Sequence, residues 1–350
     1  MTPQHCAVTL LPYHSKKQGP FYEVWYVIFV DPSNKESYWI RFLVLRTKKN
    51  PEMLIPRVYF SRVSLINPER NTTLVQTFNP NSFSMNVDPF FLNIKDCSLT
   101  KDKMKGSIED RGRAICFDLK LTPSCFNHTY LSKFLSLMTS GRSMVSIPYP
   151  SLLVDGTITI DGEKLEVKSA TGHLAHHFGK KQIYGWDWLH ALGFKDYPET
   201  ILEILSPKIS PYLPQLTLIN LYHEDRWYNS SSLIRGLLNK TQNGLCCWYF
   251  KSHGTGIKIE AHVRAPLESM VIFPYESPQG AFSYCINSQQ ADCVLEIKPK
   301  KPSSKPLRLI SNGTTSVESN LCEKEKNTSF FYLNAGDTFT DLKKSLTKNP

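Results

Sequence analysis

Four of the chain's ten histidines, His173, His176, His177 and His190, fall within TGHLAHHFGKKQIYGWDWLHALGF, residues 171–194. Imidazole titrates near neutrality, so a cluster of this kind suits proton transfer or hydrogen bonding to a ligand, with His176 and His177 as the candidate acid or base. Two of the six tryptophans, Trp186 and Trp188, follow with Tyr184 at alternate positions. On a strand, Tyr184, Trp186, Trp188 and His190 project to one face, and Gly185, Asp187 and Leu189 to the other. One face then offers aromatic surface ending in an imidazole, which is what a cavity for an apolar, partly unsaturated ligand needs. The plainer reading of the same residues is a strand-bridging imidazole and core indoles. A zinc site is disfavoured, because a strand–turn–strand brings few of these histidines together and no acidic or thiolate ligand adjoins them. No metal and no cofactor are expected.

The elements around this segment read as β-strands. Glu23–Val30 (EVWYVIFV) and Ser37–Arg46 (SYWIRFLVLR) flank Asp31-Pro32-Ser33-Asn34, a strong turn signal. The near-continuous apolarity of the second points to a strand buried on both sides, and Arg57–Ile66 follows as another. Glu23 and Arg41 are read as an ion pair of structural role. Two hairpins are clearer: Gly106–Asp110 with Ala114–Leu121 across Arg111-Gly112, and Gly156–Ile160 with Glu163–Val167 across Asp161-Gly162. Asp-Gly suits a type I′ tip, where both central residues need positive φ. In the second half Leu216–Tyr222, Leu245–Phe250, Gly256–His262, Met270–Tyr275, Ala281–Ile286 and Cys293–Lys298 are short, turn-bounded strands, spaced as in a sandwich or barrel. Helical signal is confined to Thr129–Met138, Asn229–Leu238 and Thr338–Leu346.

Gly172-His173-Leu174-Ala175-His176-His177-Phe178-Gly179, followed by Trp186-Asp187-Trp188, resembles the G-x-x-x-H-x-x-G…W-x-W signature of the AttH-like, carotenoid hydratase (hydroxyneurosporene synthase) family. Phe21–Tyr26 is similar to that family's E-x-W-Y strand, and Tyr38–Arg41 to its partner strand; tocopherol cyclase-type proteins are similar in fold. The likeness spans about residues 20–195. It implies a mainly β chain of two antiparallel lipocalin-like β-barrel halves with a few short helices. The expected halves are 1–197, carrying the His/Trp motif, and 198–350, with a polar tail. It also implies binding of isoprenoid or lipid-like molecules, with cyclisation, isomerisation or hydration that needs no cofactor. Such chemistry asks for a proton donor and for aromatic faces beside a carbocation. The hydratase-type motif has an acidic residue just before the histidine and a tryptophan two residues after it. Here Ala175 and Phe178 stand at those places, so a proton donor is missing there, hydratase chemistry is not simply inherited, and His176 and Asp187 remain the candidates.

Composition bounds the alternatives. With 350 residues, 41% hydrophobic and 12% aromatic, the chain can bury real cores. The net charge of +10 comes from scattered Lys and Arg without aromatic interleaving, which argues against nucleic-acid binding. Nine cysteines, an odd number without CxxC, fit reduced and mostly buried thiols, Cys246-Cys247 among them. Neither a secretory leader nor a transmembrane segment is apparent, so a cytoplasmic location is expected, with peripheral membrane contact left open. These residues point to binding, with or without transformation, of an apolar small-molecule ligand. His176, His177 and Asp187 are the catalytic candidates, and Trp25, Phe178, Tyr184, Trp186, Trp188 and His190 the ligand-binding ones. The rivals are a carrier without chemistry and an interaction protein whose barrels are filled by side chains.

Overall fold

The computed structural model describes residues 19–124, 143–244, 246–252, 257–299 and 305–320. These form two antiparallel sheets, the lipocalin-like β architecture expected, in two compact units. The first unit extends to Gln182 and also takes Glu276–Phe282, while the second begins at Ile183.

The first sheet has eleven strands in the order β4-β3-β2-β1-β11-β10-β9-β8-β7-β6-β5. They are β1 (Phe21–Asp31), β2 (Glu36–Arg46), β3 (Ile55–Ser64), β4 (Thr72–Thr77), β5 (Phe83–Val87), β6 (Phe90–Ile94), β7 (Cys97–Thr100), β8 (Lys103–Asp110), β9 (Arg113–Pro123), β10 (Met144–Ile160) and β11 (Glu163–Gly179). From β4 to β8 the path is eight strands long, and its ends meet where the Glu109 amide donates to Gln76 Oε1 at 2.9 Å. Eight strands give an interior that side chains fill or that holds one small ligand. Both expected hairpins close through residues of positive φ, Arg111 and Gly112 at 52° and 77°, Asp161 and Gly162 at 51° and 87°. The β1–β2 turn is held by the Asp31 carboxylate, which accepts from the Ser33 amide (3.0 Å) and Asn34 Nδ2 (2.7 Å).

Strand β2 is buried on both faces, as its apolar run requires. Phe21, Trp25, Val27 and Phe29 of β1, with Ile40 and Phe42 of β2, enter the large core of this unit. Tyr22 and Val24 pack with Leu43, Leu45 and Tyr59 in a separate cluster on the opposite face.

The second sheet has ten strands: β12 (Gly185–Ala191), β13 (Ile201–Lys208), β14 (Leu218–His223), β15 (Arg226–Ser230), β16 (Lys240–Asn243), β17 (Cys247–Lys251), β18 (Ile257–Arg264), β19 (Val271–Glu276), β20 (Phe282–Pro299) and β21 (Leu307–Asn320). Its core takes Leu189 and Ala191 from β12, Leu202 and Ile204 from β13, and Ile219 and Leu221 from β14. Two expected strands, Ala281–Ile286 and Cys293–Lys298, are one long strand, β20. Register shifts between Ser288 and Cys293 carry it through a polar stretch, where Ser288 Oγ bonds Ser269 Oγ at 2.6 Å. The only α-helix among the described residues, α1 (Leu233–Leu238), is capped by Ser232; Asn229 and Ser230, expected to open it, end β15 instead. The other two expected helices lie outside the described residues. Cys97, Cys285 and Cys293 are buried, but Cys116 and Cys247 are exposed. On β17 the buried positions are Trp248 and Phe250, so alternation turns Cys247 outward and the packing role expected for it fails. No helix among the described residues is long and apolar enough to cross a membrane.

Candidate functional site

The Asp161-Gly162 hairpin fixes the start of β11, and the same strand runs on through His173, His176 and His177. Gly172 lets β11 lie close against β1: a Cβ there would sit 2.3 Å from the Ile28 carbonyl oxygen and 2.7 Å from Phe29 Cβ. The glycine four residues before His176 is therefore a requirement of strand packing. Across this pairing Trp25 lies opposite His176, and Glu23 opposite Phe178.

The His176 ring stacks on Trp25, with centroids 4.5 Å apart and planes 7° from parallel, and Phe178 leans on it at 4.7 Å. Its Nε2 donates to Glu23 Oε1 at 2.9 Å, and both side chains are at most 2% exposed. The Trp25 indole is wholly buried, and its N–H has no acceptor among the described residues. Three sequence-predicted residues, Trp25, His176 and Phe178, thus converge on one face of the first sheet, together with Glu23.

Glu23 is not the partner of Arg41. It aligns with Val44 of β2, whereas Arg41 aligns with Tyr26, so the two side chains project to opposite faces. Arg41 instead lies over the rings of Tyr59, at 4.9 Å, and Trp39, at 5.8 Å. The carboxylate that reaches His176 is that of Glu23 on β1. Its trace in the sequence is a single acid inside the apolar run FYEVWYVIFV.

His177 faces the other way. Its Nε2 is 2.7 Å from Tyr22 Oη and 2.9 Å from Ser143 Oγ, and these two hydroxyls are themselves 2.9 Å apart. Burial, then the positive fields of Arg41 and His176, push its pKa down to about 3, so the ring is neutral at ordinary pH. His173 shares that face, edge-on to Tyr26 at 6.2 Å. Adjacent histidines on a strand cannot act on one ligand from one side, and His176 and His177 are separated in this way.

The aromatic alternation Trp186, Trp188, His190 lies on β12, which belongs to the second sheet. The chain changes sheets between Gly179 and Gly185, so these residues stand on a different sheet from His176 and His177. Within the second unit the alternation holds. Trp186 Nε1 donates to Glu318 Oε1 at 2.7 Å, and its ring stacks on Tyr275 at 6.3 Å. Trp188 stacks on His190 at 6.1 Å, and His190 Nδ1 donates to Glu203 Oε1 at 2.9 Å. Tyr184 is 39% exposed beneath the Lys208 ammonium. Asp187 turns to the core side, where it accepts from Asn243 Nδ2 (2.6 Å), Ser319 Oγ (2.7 Å) and Gln215 Nε2 (2.8 Å). That set of donors describes an anchor within the second unit. Among the described residues no three His, Cys, Asp or Glu side chains gather as a metal site.

No family model matches the chain. An uncharacterized protein of Mycobacterium tuberculosis, from strains CDC 1551 / Oshkosh and ATCC 25618 / H37Rv, is 22% identical over 280 residues, 79% of this chain and 80% of the relative. The crystal structure of CghA superimposes with a TM-score of 0.52 at 10% identity, covering 87% of this chain and 89% of that one. CghA with Sch210972 gives 0.51 at 12% identity over the same shares. A putative AttH from Nitrosomonas europaea gives 0.51 at 14% identity, covering 85% and 92%. The chain has the AttH-type fold, as the G-x-x-x-H-x-x-G…W-x-W resemblance implies.

Proposed function

We propose that the chain binds an apolar, isoprenoid- or lipid-like small molecule within its first β unit and transforms it by proton transfer, with His176 and Glu23 as the acid–base pair. The observation that carries this reading is the set of polar groups inside an otherwise apolar interior: the His176–Glu23 hydrogen bond, and beside it the Trp25 N–H without an acceptor among the described residues. A buried unsatisfied donor is costly, and a ligand oxygen would satisfy it. Glu23 orients the imidazole and favours its protonated form, so that His176 delivers a proton to an alkene carbon. The positive charge then lies against the faces of Trp25 and Phe178. Loss of a proton from a neighbouring carbon to the imidazole completes an isomerisation or cyclisation; attack by water, which passes its surplus proton to the same imidazole, completes a hydration. Side chains supply every proton in this scheme, so no cofactor is needed. The shared fold with CghA, which has been solved with Sch210972, supports the ligand reading.

A carrier without chemistry is the second reading, favoured by the apolar core that surrounds the pair. Native mass spectrometry of the purified chain, followed by extraction, is expected to reveal a co-purified apolar compound. Glu23→Gln and His176→Gln should then keep the compound bound and lose its conversion at least a hundredfold. Unchanged conversion in both variants removes the pair from the mechanism. Binding with no conversion by the unsubstituted chain leaves the carrier, and no compound bound at all leaves a side-chain-filled barrel.

A further inference from the structure

Cys247 is the first residue of β17, and Cys246 precedes it in the turn from β16. Neighbouring side chains on a regular strand point to opposite faces. Here the chain bends at Cys246, and the two sulfurs lie 3.8 Å apart, close enough to share a hydrogen bond. Backbone contacts fix the bend from both sides. The Gly244 amide donates to the Cys247 carbonyl at 2.7 Å, and the Ala265 amide to the Cys246 carbonyl at 2.9 Å. Cys247 is exposed and Cys246 half-buried, so solvent and small reagents reach the outer sulfur first. Arg264 of β18 aligns with Cys247, which places a cation on the same side of the sheet. Burial, then the contact with Cys247, pushes the Cys246 thiol up against the opposing field of Arg264, so Cys246 is the partner that keeps its proton. An exposed sulfur beside a cation, with a protonated thiol in contact, is an arrangement suited to thiol oxidation.

We propose that Cys246 and Cys247 form a modification site, at which a hydroperoxide reversibly converts the dithiol to a vicinal disulfide. The Cys247 thiolate attacks the outer peroxide oxygen and the O–O bond breaks. The other oxygen leaves with a proton as an alcohol, or as water from hydrogen peroxide, and Cys247 becomes a sulfenic acid. Cys246 then gives up its proton and attacks that sulfur, forming the S–S bond while the S–O bond breaks and water leaves. Two thiols lose two electrons and two protons, and the hydroperoxide that takes them becomes one alcohol and one water. Adjacent Cα atoms are only ~3.8 Å apart, below the ~4.4–6.8 Å usual across a disulfide, so the closed ring is strained and a thiol reductant reopens it. The site belongs to one turn of the second unit and stands whether or not the first unit performs proton transfer.

Hydrogen peroxide titrated into the full chain tests it, followed by iodoacetamide and mass mapping of the tryptic peptide 241–251, which holds both residues. That peptide is expected to lose two hydrogens, to refuse alkylation, and to recover both thiols in dithiothreitol. The reaction should run at least tenfold faster in the folded than in the urea-unfolded chain, because the bend holds the sulfurs together. Without its partner, Cys247 in Cys246→Ser should proceed to the sulfinic acid. Cys246 in Cys247→Ser should oxidise at least tenfold more slowly than Cys247 does in Cys246→Ser. Full alkylation of both thiols after peroxide, a sulfinic acid in the unsubstituted chain, or a disulfide from either residue to another cysteine would overturn the proposal. So would equal rates in the folded and unfolded chains, or in the two single variants.

Discussion

Removing one member of a buried hydrogen-bonded pair strands the other, so Glu23→Leu is expected to lower stability by about 3 kcal/mol in urea unfolding. The double variant Glu23→Leu/His176→Leu should recover part of that loss, and a double-mutant cycle measures the coupling. Equal and additive losses would mean that the pair does not interact. The His177 ring behaves differently, since its pKa is held down to about 3 in the folded chain and lies near 6.5 when unfolded. Above about pH 6.5 neither state takes the proton and stability is full; below it the unfolded chain protonates first. Stability should therefore fall with pH from there toward 3, by up to about 1.4 kcal/mol per unit. His177→Gln should flatten the urea midpoint between pH 6.5 and 5, whereas an unaltered slope would assign the acid sensitivity to other groups. The histidines were legible as candidates because their residue type carries the chemistry. Glu23 was not, because strand pairing rather than sequence separation joins it to His176, 153 positions away.

At the scale of the element, tight turns are the features that sequence states most directly, because their chemistry is local. Asp161-Gly162 predicts a type I′ tip, and the positive φ of both residues bears this out. A Cβ on Gly162 meets nothing within 4 Å, so Gly162→Ala suffers only backbone strain, about 1 kcal/mol. Gly172→Ala meets the backbone of β1, which cannot move aside without opening the β1–β11 ladder. That substitution is expected to cost about 3 kcal/mol and to separate His176 from Glu23. Paired urea titrations of the two variants check the order, and similar midpoints would refute the role given to Gly172. Strand β20 shows the opposite case. Its buried polar stretch from Asn287 to Gln290 reads as a break, yet bulges and serine contacts carry the strand through. Long-range register has no local signal to announce it.

Over the whole molecule, alternation told which residues share a face but not which sheet owns the strand. Trp186, Trp188 and His190 do line one face, yet their strand pairs with β13 and β21, while β11 pairs with β1 and β10. Five residues between Gly179 and Gly185 make that exchange, and nothing in their composition marks it. The consequence is two apolar cores built from separate sets of strands. Phe60 is fully buried in the first and Ile204 in the second, so each can be emptied on its own. Phe60→Ala is expected to cost about 3–5 kcal/mol and Ile204→Ala about 2–5 kcal/mol, through lost transfer energy and the cavity left behind. Amide hydrogen exchange locates the damage. Protection should fall in β1–β3 for the first substitution and in β12–β14 for the second, since protection follows the contacts that hold a segment closed. Loss spread evenly over both sheets in both variants would show instead that the two cores open in a single cooperative step.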